Sequence, residues 1–403
     1  MMLRGPVRRG SLFCWPQDPE PHIIRSKRQA VPQRGGVELL VRGSTGWGAV
    51  TGLLLWGLSL SGQPTGHAHD SPDSRPIDVL EQIELGGVPQ WVSIRGEHAD
   101  NPVLLFLHGG PGDPGIGLSH AFQKAWEADF TVVQWDQRGG GKNSSSVDLR
   151  SREVDRDLTI QRLILDSEEL VAHLQDRFDT ERIFVIGHSW GTILGTHLAK
   201  RRPESLHAFI AVGHIGQGMR VNESAVYEAL LEAARSQGRD EAVAELEALA
   251  PYPPAQGPIP PESMIVRTQW ISALGGSLHG EPSGLARYFS AVESSPEYTD
   301  EEKTLWPEAA SRVIWHLVQD GFFDVDLTGL GYDFDVPVYF FHGAHDLHTP
   351  PSNARAYFDL VQAPDKGWFT FTSSAHSPHL EEPGLFLERL GLVAQRIATV
   401  RDR

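Results

Sequence analysis

Two uninterrupted apolar runs, Val103-Leu104-Leu105-Phe106-Leu107 and Ile183-Phe184-Val185-Ile186, constrain the fold more than any other feature of this 403-residue chain. Both are too short for a helix, and a strand without polar positions has both faces covered. Thr131–Trp135 and Val338–Phe341 read the same way. Gln90–Arg95 instead alternates as a strand, bounded by glycines at 86, 87 and 96. Helical spacing falls between the runs: Leu163, Leu170, Leu174 and Phe178 share a face, and Thr192–Lys200 continues from Gly191 until Pro203 stops it. Strands alternating with helices predict an α/β chain with a doubly wound, mostly parallel sheet.

The rhythm breaks between about residues 215 and 325, where helical text near Asn222–Leu249 is followed by two proline-rich stretches, Pro251–Pro254 and Pro258–Pro261, and then more helical text. No strand is legible there, so the stretch reads as a helical cap inserted over the strand ends. The expected division is a leader over 1–75, core over 76–214, cap over 215–325 and core again over 326–403. Within the leader, Trp47 to Leu60 is an apolar run of 14 residues with Arg42 upstream and Gly66-His67-Ala68 downstream. That run is too short to span a bilayer comfortably and has the parts of a secretory signal. The reading is a secreted or periplasmic protein without stable membrane insertion; the long stretch ahead of Arg42 is unusual for a signal and keeps the cytoplasm as the alternative.

Cys14 is the sole cysteine, which excludes an intramolecular disulfide or a thiolate metal cluster. With 35 basic against 52 acidic residues, the net charge of -17 opposes binding to nucleic acid.

Chemistry is legible in Gly187-His188-Ser189-Trp190-Gly191, which matches G-x-S-x-G between an apolar strand and a helix. The strand turns sharply at the serine, so glycine neighbours avoid clashes while the hydroxyl is pushed into a cleft. A serine hydroxyl needs a base to take its proton and an acid to orient that base. Asp346 follows the buried strand Val338–Phe341, where functional residues of such sheets sit, whereas Asp333 and Asp335 precede that strand. His376 follows the next strand-like run, Trp368–Thr372, and is preferred as base over His379. The losing histidine would be a supporting or surface group.

His108-Gly109-Gly110-Pro111-Gly112 directly follows strand Val103–Leu107, so its amides can face the serine turn. The expected oxyanion donors are the amides of Gly110 and Trp190, with Gly109 as an alternative to Gly110. His342, His345 and His348 invite a metal reading, but on a strand-to-loop segment they need not converge, and no H-E-x-x-H helix exists. No metal or cofactor is expected.

His108–Gly112, Asp136-Gln137-Arg138-Gly139-Gly140-Gly141-Lys142 and Gly187–Gly191 together resemble the proline iminopeptidase family of serine peptidases. The resemblance implies an α/β-hydrolase fold with a helical cap, no cofactor, and release of N-terminal residues, often proline, from small peptides. It assigns Ser189, Asp346 and His376 to a triad and Gly110 and Trp190 to the oxyanion donors. Asp136 and Arg138 fall in a loop supporting the active-site floor. It also implies acidic cap residues that hold the substrate's amine, within a Trp-x-x-Trp-Glu type stretch that this chain lacks; Trp270, Glu293 and Glu302 lie in the insertion. An esterase or amidase for small apolar acyl groups is the second reading, and a non-catalytic binding protein on the same fold the third.

Overall fold

The computed structural model describes residues 75–146, 158–280 and 285–401; the candidate signal run and Cys14 lie outside them. Eight strands form one sheet in the order β1-β2-β4-β3-β5-β6-β7-β8. Their ranges are β1 Ile77–Leu85, β2 Val88–Gly96, β3 Val103–Leu107, β4 Thr131–Trp135, β5 Ile183–His188, β6 Leu206–Val212, β7 Val338–Gly343 and β8 Lys366–Phe371. β1 and β2 form an antiparallel hairpin, and β2 joins β4 antiparallel. From β4 to β8 all pairing is parallel.

β1 and β6 were not legible as strands. Positive φ at Gly86 and Gly87 closes the two-residue turn between β1 and β2. β1 sits at the sheet edge, and its half-buried, charge-bearing pattern lacks the continuous apolar signal of an interior strand.

Why the interior runs carry no polar residues is visible in their packing. Alternate residues of β3 enter two separate clusters: Val103, Leu105 and Leu107 on one face, Leu104 and Phe106 on the other. β5 does the same, with Ile183 and Val185 opposite Phe184 and Ile186. Each such side chain removed from water contributes on the order of 1.5–3 kcal/mol, which favours this register over any slipped one.

The helices are α1 Gly115–Ser119, α2 Ile160–Phe178, α3 Gly191–Arg201, α4 Met219–Ser236, α5 Asp240–Glu247, α6 Pro261–Ala273, α7 Ala286–Glu293, α8 Asp300–Gln319, α9 Pro351–Leu360, α10 Pro378–Glu381 and α11 Pro383–Arg401. α2 begins where the Thr159 side chain accepts from Arg162 N and ends at Asp179, which takes the left-handed conformation. α8 starts with a reciprocal capping box between Thr299 and Glu302.

Five helices, α4 to α8, lie between β6 and β7. The helical text expected over Asn222–Leu249 is two helices, broken at Gly238, whose φ is positive. α4, α5 and α6 share their own apolar cluster, built on Val226, Leu230, Leu246, Trp270 and Ile271. The insertion leaves and returns at one point: Met219 N donates to Val325 O at 2.9 Å and Leu327 N to Gln217 O at 2.8 Å.

Candidate active site

β5 runs into α3 through Ser189, which has φ 53, a conformation that an L-residue holds only when its surroundings impose it. The Ser189 amide donates to Val212 O on β6 at 2.9 Å, pinning the turn to the neighbouring strand. Its glycines are required by close approach. A Cβ on Gly191 would stand 2.1 Å from Leu107 O, and one on Gly187 would stand 2.4 Å from Gly191 O. The elbow therefore packs directly against the end of β3, where the His108–Gly112 loop begins.

Asp346 and His376 come from the loops after β7 and β8 and meet, with His376 Nδ1 2.8 Å from Asp346 Oδ2. Asp346 is fully enclosed and its carboxylate is saturated. Oδ1 accepts from the amides of His348 and Thr349 at 2.8 and 2.9 Å, and Oδ2 also accepts from Thr349 Oγ1 at 2.7 Å. Burial alone would raise this carboxyl; its pairing and hydrogen bond with His376 hold it well below the usual carboxylate range.

The His376 ring lies between two others, His188 with centroids 4.8 Å apart and His348 with centroids 4.5 Å apart. Burial pushes His188 down to about 3 and His348 well below its ordinary value, so both neighbours are neutral. Neutral His188 donates through Nε2 to the carbonyl of His376 at 2.9 Å and so fixes the backbone that carries the candidate base. Ser189 and His376 line one cavity. Among the described residues no hydrogen bond joins them, which is common before substrate is bound.

Gly110 and Trp190 line the same cavity, and neither backbone amide is used by another group among the described residues. The Asp136-Gln137-Arg138 segment ties these parts together. Gln137 receives Trp190 Nε1 on its side-chain oxygen at 2.8 Å and donates its side-chain nitrogen to His108 O at 3.2 Å. Its own amide donates to His108 Nε2 at 3.1 Å, so one residue links the elbow to the loop after β3. Arg138 pairs with buried Asp166 of α2 and reaches Leu85 O at the end of β1. Asp136, pushed up to about 6 by burial, accepts from Ile116 N, Lys142 N and the Tyr298 hydroxyl.

His379 is neither exposed nor bonded to the acid; it is buried, edge-on to Phe122 and against His188. The three histidines of the metal reading diverge. His342 binds Thr349 O, His345 stacks on His279, and His348 faces Ser277 Oγ. Among the described residues no three His, Cys, Asp or Glu side chains are placed to hold a metal ion.

The acids named in the insertion sit elsewhere. Glu302 pairs with Lys142, Glu293 is exposed, and Trp270 packs inside the α4–α6 cluster with Nε1 on Glu245. The cavity instead holds Asp113, Glu223, Arg267 and Tyr288, none of which was singled out from sequence. Asp113 alone carried a signal, since it follows His108–Gly112 by one position; the others lie on helices without a motif.

A sheet in this order, with a strained serine between β5 and α3 and an acid and histidine on the loops after β7 and β8, is the arrangement of the α/β hydrolases. The chain belongs to that family: the model described as alpha/beta hydrolase fold matches residues 102–383. Within it, the chain is 31% identical over 319 residues to a probable aminopeptidase, YbaC, of Bacillus subtilis (strain 168), covering 79% of this chain and 97% of that protein. The proline iminopeptidase of Mycobacterium smegmatis superposes with a TM-score of 0.54 at 21% identity, over 80% of this chain and 100% of the other. A proline iminopeptidase-related protein from Thermus thermophilus does so at 0.54 and 19%, over 80% and 98%. Among the described residues no helix is long and apolar enough to cross a membrane.

Proposed function

We propose that the protein is a serine hydrolase of the proline iminopeptidase type that releases N-terminal residues from small peptides. Ser189 attacks the acyl carbon, His376 takes the hydroxyl proton and passes it to the leaving amine, and Asp346 orients the histidine. The amides of Gly110 and Trp190 hold the oxyanion, and water then hydrolyses the acyl-enzyme. The α4–α8 helices act as the cap that selects the substrate. One observation carries this reading: a positive-φ serine shares a cavity with a histidine whose Nδ1 is 2.8 Å from a buried carboxylate. The similarity to a probable aminopeptidase over most of both chains supports the choice of peptide substrate.

A fluorophosphonate probe is expected to label the wild-type chain and to leave Ser189→Ala unlabelled, with arylamide and ester turnover falling by at least about a thousandfold. A folded wild-type chain that resists the probe would sink the catalytic reading and favour a binding protein. The cavity walls formed by Trp306, Ile314, Phe322 and Phe323 also suit an esterase for apolar acyl groups. Cleavage of p-nitrophenyl acetate without any aminoacyl p-nitroanilide would favour that alternative.

A further inference from the structure

An α-amino group is a cation at neutral pH, and a substrate that carries one into an apolar cavity needs an anion there. Two described residues lining the cavity carry carboxyls, Glu223 and Asp113. Both oxygens of Glu223 are taken: Arg267 Nη2 donates to Oε1 at 2.7 Å, and the Tyr252 hydroxyl donates to Oε2 at 2.6 Å. With the guanidinium beside it, this carboxylate is neutralised before any substrate arrives. Asp113 differs. Among the described residues its carboxyl accepts no backbone hydrogen bond and makes no ion pair, and α1, which begins two residues later, has no side-chain cap. It does no visible work in holding its own loop. Facing it is the buried hydroxyl of Tyr288, on α7.

Its place relative to the serine is suitable. The point where a Cβ on Gly109 would stand is 3.2 Å from Ser189 Cβ and 3.3 Å from Asp113 Oδ2, so no more than two such lengths separate these atoms. In an acyl group attached to the serine, the α-nitrogen lies about 2.5 Å from the carbonyl carbon. An ammonium reaches a carboxylate oxygen over about 2.8 Å. The carboxyl also lies beside Gly110, the proposed oxyanion donor. An amine two bonds from the reacting carbon is thus within reach of Asp113, while Glu223 stands already paired on α4.

We propose that Asp113, assisted by the Tyr288 hydroxyl, is the specificity-determining residue that holds the free ammonium group of the substrate. The amine is then read by the loop that also carries the proposed oxyanion donor, so a single segment sets the distance from amine to scissile carbonyl. Burial raises the Asp113 carboxyl to about 6, opposed by Tyr288 and His376, and an incoming ammonium would draw the proton off. The inference rests on the aminopeptidase reading.

The test compares kcat and KM of the full-length wild type with Asp113→Asn on a panel of aminoacyl p-nitroanilides, prolyl included, and on p-nitrophenyl acetate, which has no amine. Asp113→Asn is expected to raise KM for the aminoacyl substrates and to lower their kcat/KM relative to the ester at least tenfold. Asp113→Glu should recover part of the loss. Tyr288→Phe should shift the ratio in the same direction, and it carries the measurement if Asp113→Asn does not fold. A wild type that hydrolyses the ester and no aminoacyl p-nitroanilide overturns the aminopeptidase reading and this inference with it. A wild type that cleaves the arylamides, with a ratio that falls less than tenfold in the variant, overturns the amine anchor alone.

Discussion

At the scale of single residues, the site is defined by groups whose surroundings leave them one option. Asp346 is held ionised by four hydrogen bonds, one of them from the ring of His376. Asp346→Asn would set an amide N–H against the ring nitrogen that now donates, forcing the other tautomer on His376. The expected result is a fall in kcat of about 10³–10⁴ with KM little changed, measured on p-nitrophenyl acetate. A loss under tenfold would mean that Asp346 does not orient the base. His188 could be noticed in the sequence only as the variable position of G-x-S-x-G, because its hydrogen bond to the His376 carbonyl spans 188 positions of chain.

At the scale of elements, the inserted helices are tied to the sheet through α8. Lys142, in the turn after β4, is 5% exposed and meets Glu302 of α8 at 2.8 and 3.0 Å, while its Nζ also donates to Glu297 O and lies over the Trp91 ring. Beside it, Gly112 backs directly onto α8, where a Cβ would stand 3.0 Å from Ala310 Cα. The pair thus positions the helix that supplies Trp306 and Ala310 to the cavity wall. Lys142→Met leaves a buried carboxylate unpaired and is expected to cost about 3–5 kcal/mol in chemical denaturation. Adding Glu302→Gln should then cost far less than it does alone; strictly additive losses would show that the two groups are not coupled.

At the scale of the whole molecule, acid sensitivity follows from how many histidines the fold keeps neutral. Burial lowers His108 to about 4 and His188 and His214 to about 3, and it lowers His342, His348 and His379 as well. Such groups bind fewer protons folded than unfolded. Their contribution is complete above about pH 6.5 and is lost as pH falls toward the folded values, on the order of 1.4 kcal/mol per unit for each. Asp113 and Asp136, raised to about 6, act in the opposite sense between pH 6 and about 4. Two carboxyls do not offset these histidines, to which His197 adds a further lowered group. The Tm is expected to be highest above pH 7 and to drop steadily toward pH 4.5 in a thermal melt series; a flat or rising Tm from pH 7 to 5 would contradict this account.

The sequence by itself determined the sheet interior except β6, the position of Ser189 between strand and helix, and the candidate acid and base at the ends of later strands. Those features are local: continuous apolar runs, a five-residue turn and the loop after a strand each carry their signal within a short window. The edge strand β1 escaped because half-exposed strands lack that signal. What faces the cavity was decided by tertiary structure alone. Glu223 and Arg267 lie on separate helices, and Asp113 and Tyr288 line the cavity from the loop after β3 and from α7. Which carboxyl stays unpaired depends on which helices the insertion brings together, and no spacing along the chain encodes that contact.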